Sequence, residues 1–311
     1  MKRLLIDAIS TNSGGAISHL KNILINFNNQ NYFQKVDVFL PKKTRSLMPK
    51  LKNINYISPK ILSKNLILRI FWQIFFLNII IYKKNYNCVF ITGSSHLIFF
   101  KPVVTISQNL LPFSSKEVKK YFFSLFYIKL VTLRFTQTLS FKLSSGVIFL
   151  HRYSKNFILN KVGKLKGDSE IIHHGLNIKT SKTTYKCEKY RLIYVSNIDF
   201  YKNQIFVLKG IDSLILKYPH LKNILKVEFY GSSYKPALKK FHNYLYKNIK
   251  NKKNFRYFGL KNSKTIYKDK KNFDTIFLFA SSCENFSVSL IEGMSRGYAI
   301  LCVNLQPMKS V

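Results

Sequence analysis

Short apolar runs recur along this 311-residue chain, each followed by a polar turn and then a segment of helical periodicity. In the first 180 residues the runs are Arg3–Ile9, Val36–Leu40, Cys88–Thr92, Pro102–Ser107, Gly146–Leu150 and Glu170–His174. Runs without polar alternation suit strands buried on both faces, and strands alternating with helices imply a parallel sheet. The helical segments between them are Ile17–Phe27, Leu66–Tyr82, Glu117–Leu143 and His151–Leu159, with Pro41–Lys64 a polar, basic connection. A Lys/Thr-rich stretch, Lys179–Lys189, reads as a linker, after which the pattern restarts. Its second round is Arg191–Val195, Leu225–Tyr230, Phe255–Phe258, Thr275–Ala280 and Ala299–Val303, with helices over Asn203–Leu216, Pro236–Lys247 and a short one before Lys270. The expectation is two α/β domains, residues 1–180 and 190–311, with a cleft between them.

One corner of this pattern carries chemistry. After the run Thr275–Ala280 come Ser281–Gly297, SSCENFSVSLIEGMSRG, with Glu284 in the turn and Glu292 on the helix that follows. In open α/β sheets ligands bind where a strand's carboxyl end meets a helix N-terminus. Eight positions along a helix rise roughly 12 Å, whereas a hydrolytic carboxylate pair stands about 5–9.5 Å apart. The two glutamates therefore suit hydroxyls at opposite ends of one long ligand, with a phosphate group at the helix N-terminus between them. A sugar, a diphosphate and a ribose in that order make a nucleotide sugar. The plainer alternative is a solvated Glu284 and a Glu292 on the wet face of its helix.

Charge and cysteine content narrow the classes. There are 51 Lys+Arg against 13 Asp+Glu, a formal net charge of +38, but only eight of the basic residues are Arg. Nucleic-acid readers favour the planar arginine fork. A field made mostly by lysine favours anionic lipid surfaces and anionic substrates. The four cysteines, Cys88, Cys187, Cys283 and Cys302, form no CxxC pair, which argues for a reducing cytosol and no structural zinc. The opening MKRLLIDAIS is too short an apolar run for a signal peptide, and Leu66–Tyr82 carries Arg69, Gln73 and Asn78, against a spanning helix. Glu117–Leu143 is aromatic-rich with Lys119, Lys120, Lys129, Arg134 and Lys142 along it. It reads either as a helix resting on a membrane surface or as a core helix with snorkelling lysines. Near the amino end, Gly14-Gly15 permits close backbone approach to a ligand, or is a plain tight turn.

With these segments laid out, Ser281–Gly297 and the following Ala299-Ile300-Leu301-Cys302 resemble the donor motif of GT-B retaining glycosyltransferases, family 4, of the bacterial surface-polysaccharide type. The resemblance spans nearly the whole chain and implies two Rossmann-like domains with parallel sheets facing across a cleft. By that resemblance Glu284, with the amides of Asn285, Phe286 and Ser287, would contact the transferred sugar, and Glu292 would hold the ribose. Tyr194–Asn203 is similar to a second family motif, in which Lys202 would pair with the donor diphosphate and Asn197 would stand where many members have an arginine. Gly14 and Gly15 resemble the glycine loop near the phosphates. Gln108 and Asn109 stand where many members carry a histidine, and His173-His174-Gly175 resembles the turn that ends the first domain, where one histidine would lie by the cleft or serve structure. Members continue past the position of Val311, so the resemblance implies a second domain incomplete at its C-terminus.

The implied function is metal-independent transfer of a hexose-type sugar from a nucleotide-sugar donor to a cell-surface polysaccharide, lipopolysaccharide or lipid-linked acceptor. Lys202 and Glu284 are the catalytic candidates and no Asp-x-Asp metal motif is present. No cofactor is expected beyond the donor itself. The setting is cytoplasmic, with peripheral contact to an anionic membrane and no nucleic-acid partner. Two alternatives belong to other classes: a catalytically inactive remnant that binds a partner protein, and a nucleic-acid-binding protein, the latter opposed by the scarcity of Arg.

Overall fold

The computed structural model describes residues 2–11, 14–27, 32–64, 66–175, 187–268 and 273–311. Most of the expected linker, and residues 12 and 13 of the glycine-bearing loop, lie outside that set. The chain divides into two compact units, Met1–Gly175 and Leu176–Val311.

The first unit holds seven strands: β1 (Arg3–Asp7), β2 (Lys35–Phe39), β3 (Ile54–Ile57), β4 (Cys88–Ile91), β5 (Val103–Ser107), β6 (Gly146–Phe149) and β7 (Asp168–Ile171). They pair in parallel in the order β3-β2-β1-β4-β5-β6-β7. The central strands are largely buried on both sides because both faces are covered. Leu4, Ile6, Val36 and Val38 pack with Leu20 and Leu24 of the helix Gly14–Phe27. Leu5, Phe39, Val89, Ile91 and Val103 pack with Trp72, Leu77 and Ile81 on the opposite face. The helix Leu125–Leu143 lies on that second face too, since its Phe141 meets Phe149 of β6. Right-handed crossovers give the same assignment: the connection from β1 to β2 runs one way along the sheet, those from β3 to β4 and β5 to β6 the other.

Three expectations change. The stretch Pro41–Lys64, read as connection, contains the edge strand β3, whose four residues bury only Ile54 and so leave little apolar signal. The helix from Leu66 runs to Lys83 but widens to a π turn over Gln73–Leu77. The helix expected over Glu117–Leu143 is broken: a short turn Ser115–Val118 and a 3₁₀ turn Lys119–Tyr121 end at Phe122 and Phe123, and Ser124 caps a new helix by accepting from Tyr127 N at 3.2 Å.

Burial at the end of β1 has a measurable consequence. Asp7 is 2% exposed, its carboxylate accepting from Ile9 N at 3.0 Å and from Gln73 Nε2. Burial outweighs both hydrogen bonds and pushes its pKa up to about 6. The folded chain then holds a proton that the unfolded chain releases near pH 4, so stability from this group is lost as pH rises from about 4 to 6. Asp7→Asn removes the titration, and Gln73 can turn its amide to accept from the new one. Relative to wild type, the variant is expected to gain on the order of 3 kcal/mol between pH 4 and pH 7 in urea unfolding. A stability difference independent of pH would exclude this role for Asp7.

The second unit holds β8 (Tyr190–Val195), β9 (Leu225–Tyr230), β10 (Phe255–Tyr257), β11 (Asp274–Phe279) and β12 (Ala299–Cys302), all parallel, in the order β10-β9-β8-β11-β12. The chain runs outward from β8 to β10, then returns to β11 on the other side of β8. That reversal between β8 and β11 is the topological switch point, where the connections on either side diverge and leave a crevice. The core is built from Leu192, Ile193, Val227, Phe229, Phe277 and Phe279 of the strands with Leu208, Phe241 and Leu290 of the helices.

Candidate functional site

The loops leaving β8 and β11 are stitched together at the switch point. After β8, Asp199 caps the turn Phe200–Lys202 by accepting from Phe200 N at 2.8 Å, and Asn203 takes a left-handed φ of 57° before the helix Gln204–Lys217. Asparagine tolerates that conformation better than most residues. Its side chain donates to the Ala280 carbonyl at 2.9 Å, at the end of β11. Ser282 returns two bonds to the Tyr201 carbonyl, from N at 2.8 Å and from Oγ at 3.0 Å. Tyr194 Oη donates to the Lys202 carbonyl and accepts from Ala280 N at 3.2 Å.

These bonds bring Lys202 and Glu284, 82 positions apart, into an ion pair whose side chains are 11% and 13% exposed. The Lys202 ammonium also lies 4.9 Å from the Tyr201 ring centroid and 5.8 Å from that of Phe279. Burial alone would lower the lysine pKa, but the Glu284 carboxylate together with the Tyr201 and Tyr194 hydroxyls turns the net shift upward. The ammonium therefore stays charged across the physiological range.

Glu284 lies in the turn before the helix Val288–Ser295, as the sequence suggested. Ser287 caps that helix, accepting from Leu290 N at 3.3 Å, and Asn285 and Ser287 are buried while Phe286 is half-buried. The helix sits close against the sheet at Gly293, where any Cβ would come within 2.6 Å of the Phe277 ring. Only glycine permits that approach.

Glu292 belongs to a different set of contacts. Its carboxylate accepts from Tyr267 Oη at 2.8 Å, and burial with the nearby carboxylate raises the Tyr267 pKa. Arg296 donates to the Glu292 carbonyl at 2.9 Å and lies over the Tyr267 ring at 3.8 Å. Glu292 is thus half-buried and held by a side-chain hydrogen bond. Behind Tyr267, the Ile266 carbonyl accepts from buried Arg191 at 2.8 Å, and Arg191 pairs with Glu228 at 2.6 Å. The buried Glu228–Arg191 pair is thus bonded to the backbone directly before Tyr267, the donor to Glu292.

Asn197 is exposed on the loop after β8; its Oδ1 accepts from Ser232 Oγ and its carbonyl from Gln204 Nε2, both at 2.8 Å. Beside it Gly231, at φ 138°, has room for no side chain, since a Cβ would meet the Ser196 carbonyl at 2.2 Å. Gly14 and Gly15 open the helix Gly14–Phe27 in the first unit, Gly14 at φ 52°, with nothing within 4 Å of where a Cβ would stand. In that unit Gln108 Nε2 is 2.8 Å from His19 Nδ1, and His19 meets His174 edge-on at 4.3 Å. Burial, then the neighbouring imidazole, lowers His174 to about 4, so it is neutral at pH 7. His173 is tied to the Leu150 carbonyl at 2.8 Å. Among the described residues, no three His, Cys, Asp or Glu side chains stand where they could share a metal ion.

Sequence reasoning missed Tyr267, Ser232 and Asn203. Only Asn203 left a trace, as a residue tolerant of left-handed geometry directly after Lys202.

Residues 179–311 match the family described as Glycosyl transferases group 1. Three solved structures show how far the likeness runs. HepE from Anabaena, in complex with UDP and glucose, is 13% identical with a TM-score of 0.67, over 100% of this chain and 83% of that one. The lipopolysaccharide outer core galactosyltransferase WaaB is 14% identical, TM-score 0.62, over 100% and 83%. WaaG, a glycosyltransferase involved in lipopolysaccharide biosynthesis, is 12% identical, TM-score 0.68, over 97% and 81%. The fold is GT-B. No curated protein sequence matches the chain. In this GT-B chain the glycosyltransferase match covers the second unit, and so covers Lys202, Glu284 and Glu292 together.

Proposed function

We propose that this chain transfers a hexose-type sugar from a nucleotide-sugar donor to a cell-surface polysaccharide, lipopolysaccharide or lipid-linked acceptor, retaining the anomeric configuration and using no metal, as a family 4 enzyme. The observation that carries the reading is the Lys202–Glu284 pair at the carboxyl ends of neighbouring β8 and β11. A fixed cation and a carboxylate side by side suit the two halves of a sugar diphosphate. The ammonium, with the free N–H groups of the capped helix Val288–Ser295, stabilises the charge that grows on the diphosphate as its bond to the sugar breaks. Glu284 accepts from sugar hydroxyls, with the amides of Asn285, Phe286 and Ser287 beside it. Glu292, oriented by Tyr267, accepts from the ribose hydroxyls at the far end. Asn197 offers an amide where an arginine would offer charge, which leaves Lys202 the larger share. By the family resemblance alone, Gly14 and Gly15 are candidate backbone contacts to phosphate. The acceptor oxygen forms the new bond to the anomeric carbon as the bond to the diphosphate breaks, and the acceptor's proton leaves with the diphosphate.

The donors and acceptors of the similar structures support this reading: HepE is seen with UDP and glucose, and WaaB and WaaG serve lipopolysaccharide. With an acceptor of that kind, the proposed setting is the cytoplasm, at the inner face of the membrane. Melting the chain against a panel of nucleoside diphosphates tests the site. At a hundredfold excess over Kd the right nucleotide is expected to raise the melting temperature by about 5 °C. Transfer then follows from the matching donor sugars with extracted glycan acceptors. A chain that binds nucleotide but turns over no donor would be the inactive, partner-binding form; a chain that binds none would exclude the proposed site.

A further inference from the structure

The carboxyl ends of the strands in the first unit form a second edge of the kind that binds ligands in open α/β sheets, and its chemistry differs from that at Lys202. Charge is what it lacks. The segments 8–11, 92–96, 108–114 and 172–175, which follow β1, β4, β5 and β7, contain no Lys, Arg, Asp or Glu in a chain with 51 Lys+Arg. Asp7, which ends β1, is buried, and the nearest cations along the chain are Arg152 after β6 and Lys116 beyond the β5 loop. Histidine and amide side chains stand there instead. Gln108, the first residue past β5, brings its amide nitrogen to 2.8 Å from His19 Nδ1, and His19 meets His174 edge-on at 4.3 Å. An amide nitrogen only donates, so Nδ1 accepts and the His19 ring carries its proton on Nε2. The three side chains come from the helix Gly14–Phe27, the β5 loop and the segment after β7, and each is half-buried, not sealed in the core. Burial lowers the pKa of His19 as it does that of His174, so both rings are neutral at pH 7.

We propose that the Gln108–His19–His174 cluster selects an acceptor whose receiving sugar ring is uncharged, with His19 as the residue that positions a ring hydroxyl, and that it discriminates against uronate and phosphorylated rings. Hydroxyls both donate and accept, which suits a neutral imidazole with one N–H and an amide with an oxygen. A carboxylate or phosphate needs a fixed cation or a protonated ring once its water is removed. Neighbouring imidazoles 4.3 Å apart oppose each other's protonation, and the four uncharged segments bring no lysine to replace it. At Lys202 and Glu284 the opposite holds, because there a charged side chain is already in place for a charged ligand. The plainer role of the Gln108–His19 bond is a tie between helix and loop. Such a tie would affect stability and leave the choice of acceptor alone. The proposed role for His19 rests on the sugar-transfer reading and adds to it the class of the receiving ring.

The test is transfer by the full chain, from the matching donor, to octyl glycosides that differ only in the ring: glucoside, galactoside and N-acetylglucosaminide against glucuronide, galacturonide and glucoside 6-phosphate. The best uncharged ring is expected to show a kcat/KM at least about tenfold above that of any charged ring. His19→Asn keeps an oxygen where Nδ1 accepts from Gln108 and removes the rest of the ring. It should raise the acceptor KM about tenfold, the usual size for one hydrogen bond, with a smaller effect on kcat and on melting temperature. A measurement without variants follows the imidazole resonances of the histidine-labelled chain. Those of His19 and His174 should shift with the uncharged glycosides and not with the charged ones. A charged ring used as well as an uncharged one, an unchanged acceptor KM in folded His19→Asn, or imidazole resonances that no glycoside moves would each overturn the proposal. If nucleoside diphosphates fail to stabilise the chain, the sugar-transfer reading falls, while imidazole shifts with uncharged glycosides would still support the sugar site.

Discussion

Replacing Lys202 by methionine is expected to lower the rate of sugar transfer by about 10²–10³-fold, the usual loss when one preorganised group facing developing charge is removed. The choice of methionine matters. It keeps an unbranched stem against the Tyr201 and Phe279 rings, which lie 4.9 and 5.8 Å from the native ammonium. The backbone clamp survives as well, since Asn203, Ser282 and Tyr194 bond carbonyls and not the lysine side chain. The loss should therefore fall on kcat; because Glu284 is left without its cation the melting temperature falls as well, so turnover is read at a temperature where the variant is still folded. Glu284→Gln supplies the complement: the lysine loses its carboxylate neighbour, and donor affinity should suffer with turnover. Normal kcat in a folded Lys202→Met variant would remove the lysine from the mechanism, whatever the nucleotide affinity.

The largest expected effect on stability lies away from the ligand. Glu228→Ala is expected to destabilise the second unit by about 3–5 kcal/mol, because it strands a guanidinium that is 1% exposed. Arg191 would keep Tyr230 Oη at 3.1 Å and the Ile266 carbonyl at 2.8 Å, neither of which neutralises its charge. Replacing both partners, Arg191→Leu with Glu228→Leu, should recover much of the loss, since two apolar side chains of similar size need no partner. Urea unfolding of Arg191→Leu, Glu228→Leu and the double variant closes the cycle. If the two single costs sum to that of the double, the pair is not coupled. The double variant also frees the Ile266 carbonyl, and Tyr267 next to it is the hydrogen-bond donor to Glu292. A raised KM for the donor at nearly native stability would show that the buried pair orients the far end of the proposed ligand.

Much of the architecture was readable because it is local. Leu225–Tyr230 is a strand over the same six residues that the apolar run marked, and the turn-then-helix after β11 falls where the polar residues stand. The failures have local causes as well. β3 lies at a sheet edge and buries one side chain, so nothing in its four residues exceeds the background of a connection. Phe122 and Phe123 extend an apolar helical pattern without a glycine or proline to stop it, and the break shows only in Ser124 acting as a cap. The two glutamates sat in one motif, but whether they were idle could not be judged from spacing. Glu284 found Lys202, and Glu292 found Tyr267, only once the strands took their order.

By itself the sequence determined the strand and helix alternation, the parallel class of both sheets, and the corner at Ser281–Gly297, because side-chain periodicity and turn chemistry act between near neighbours in the chain. The tertiary structure alone decided the Lys202–Glu284 pair, the Arg191–Glu228 pair behind Tyr267 and Glu292, and the helix break at Phe123. Each of the first two needs partners from different strands, and strand order is settled by which faces bury together and not by any one segment. The third needs a helix to end where its pattern continues, between Tyr121 and Leu130, both of which are buried in the fold.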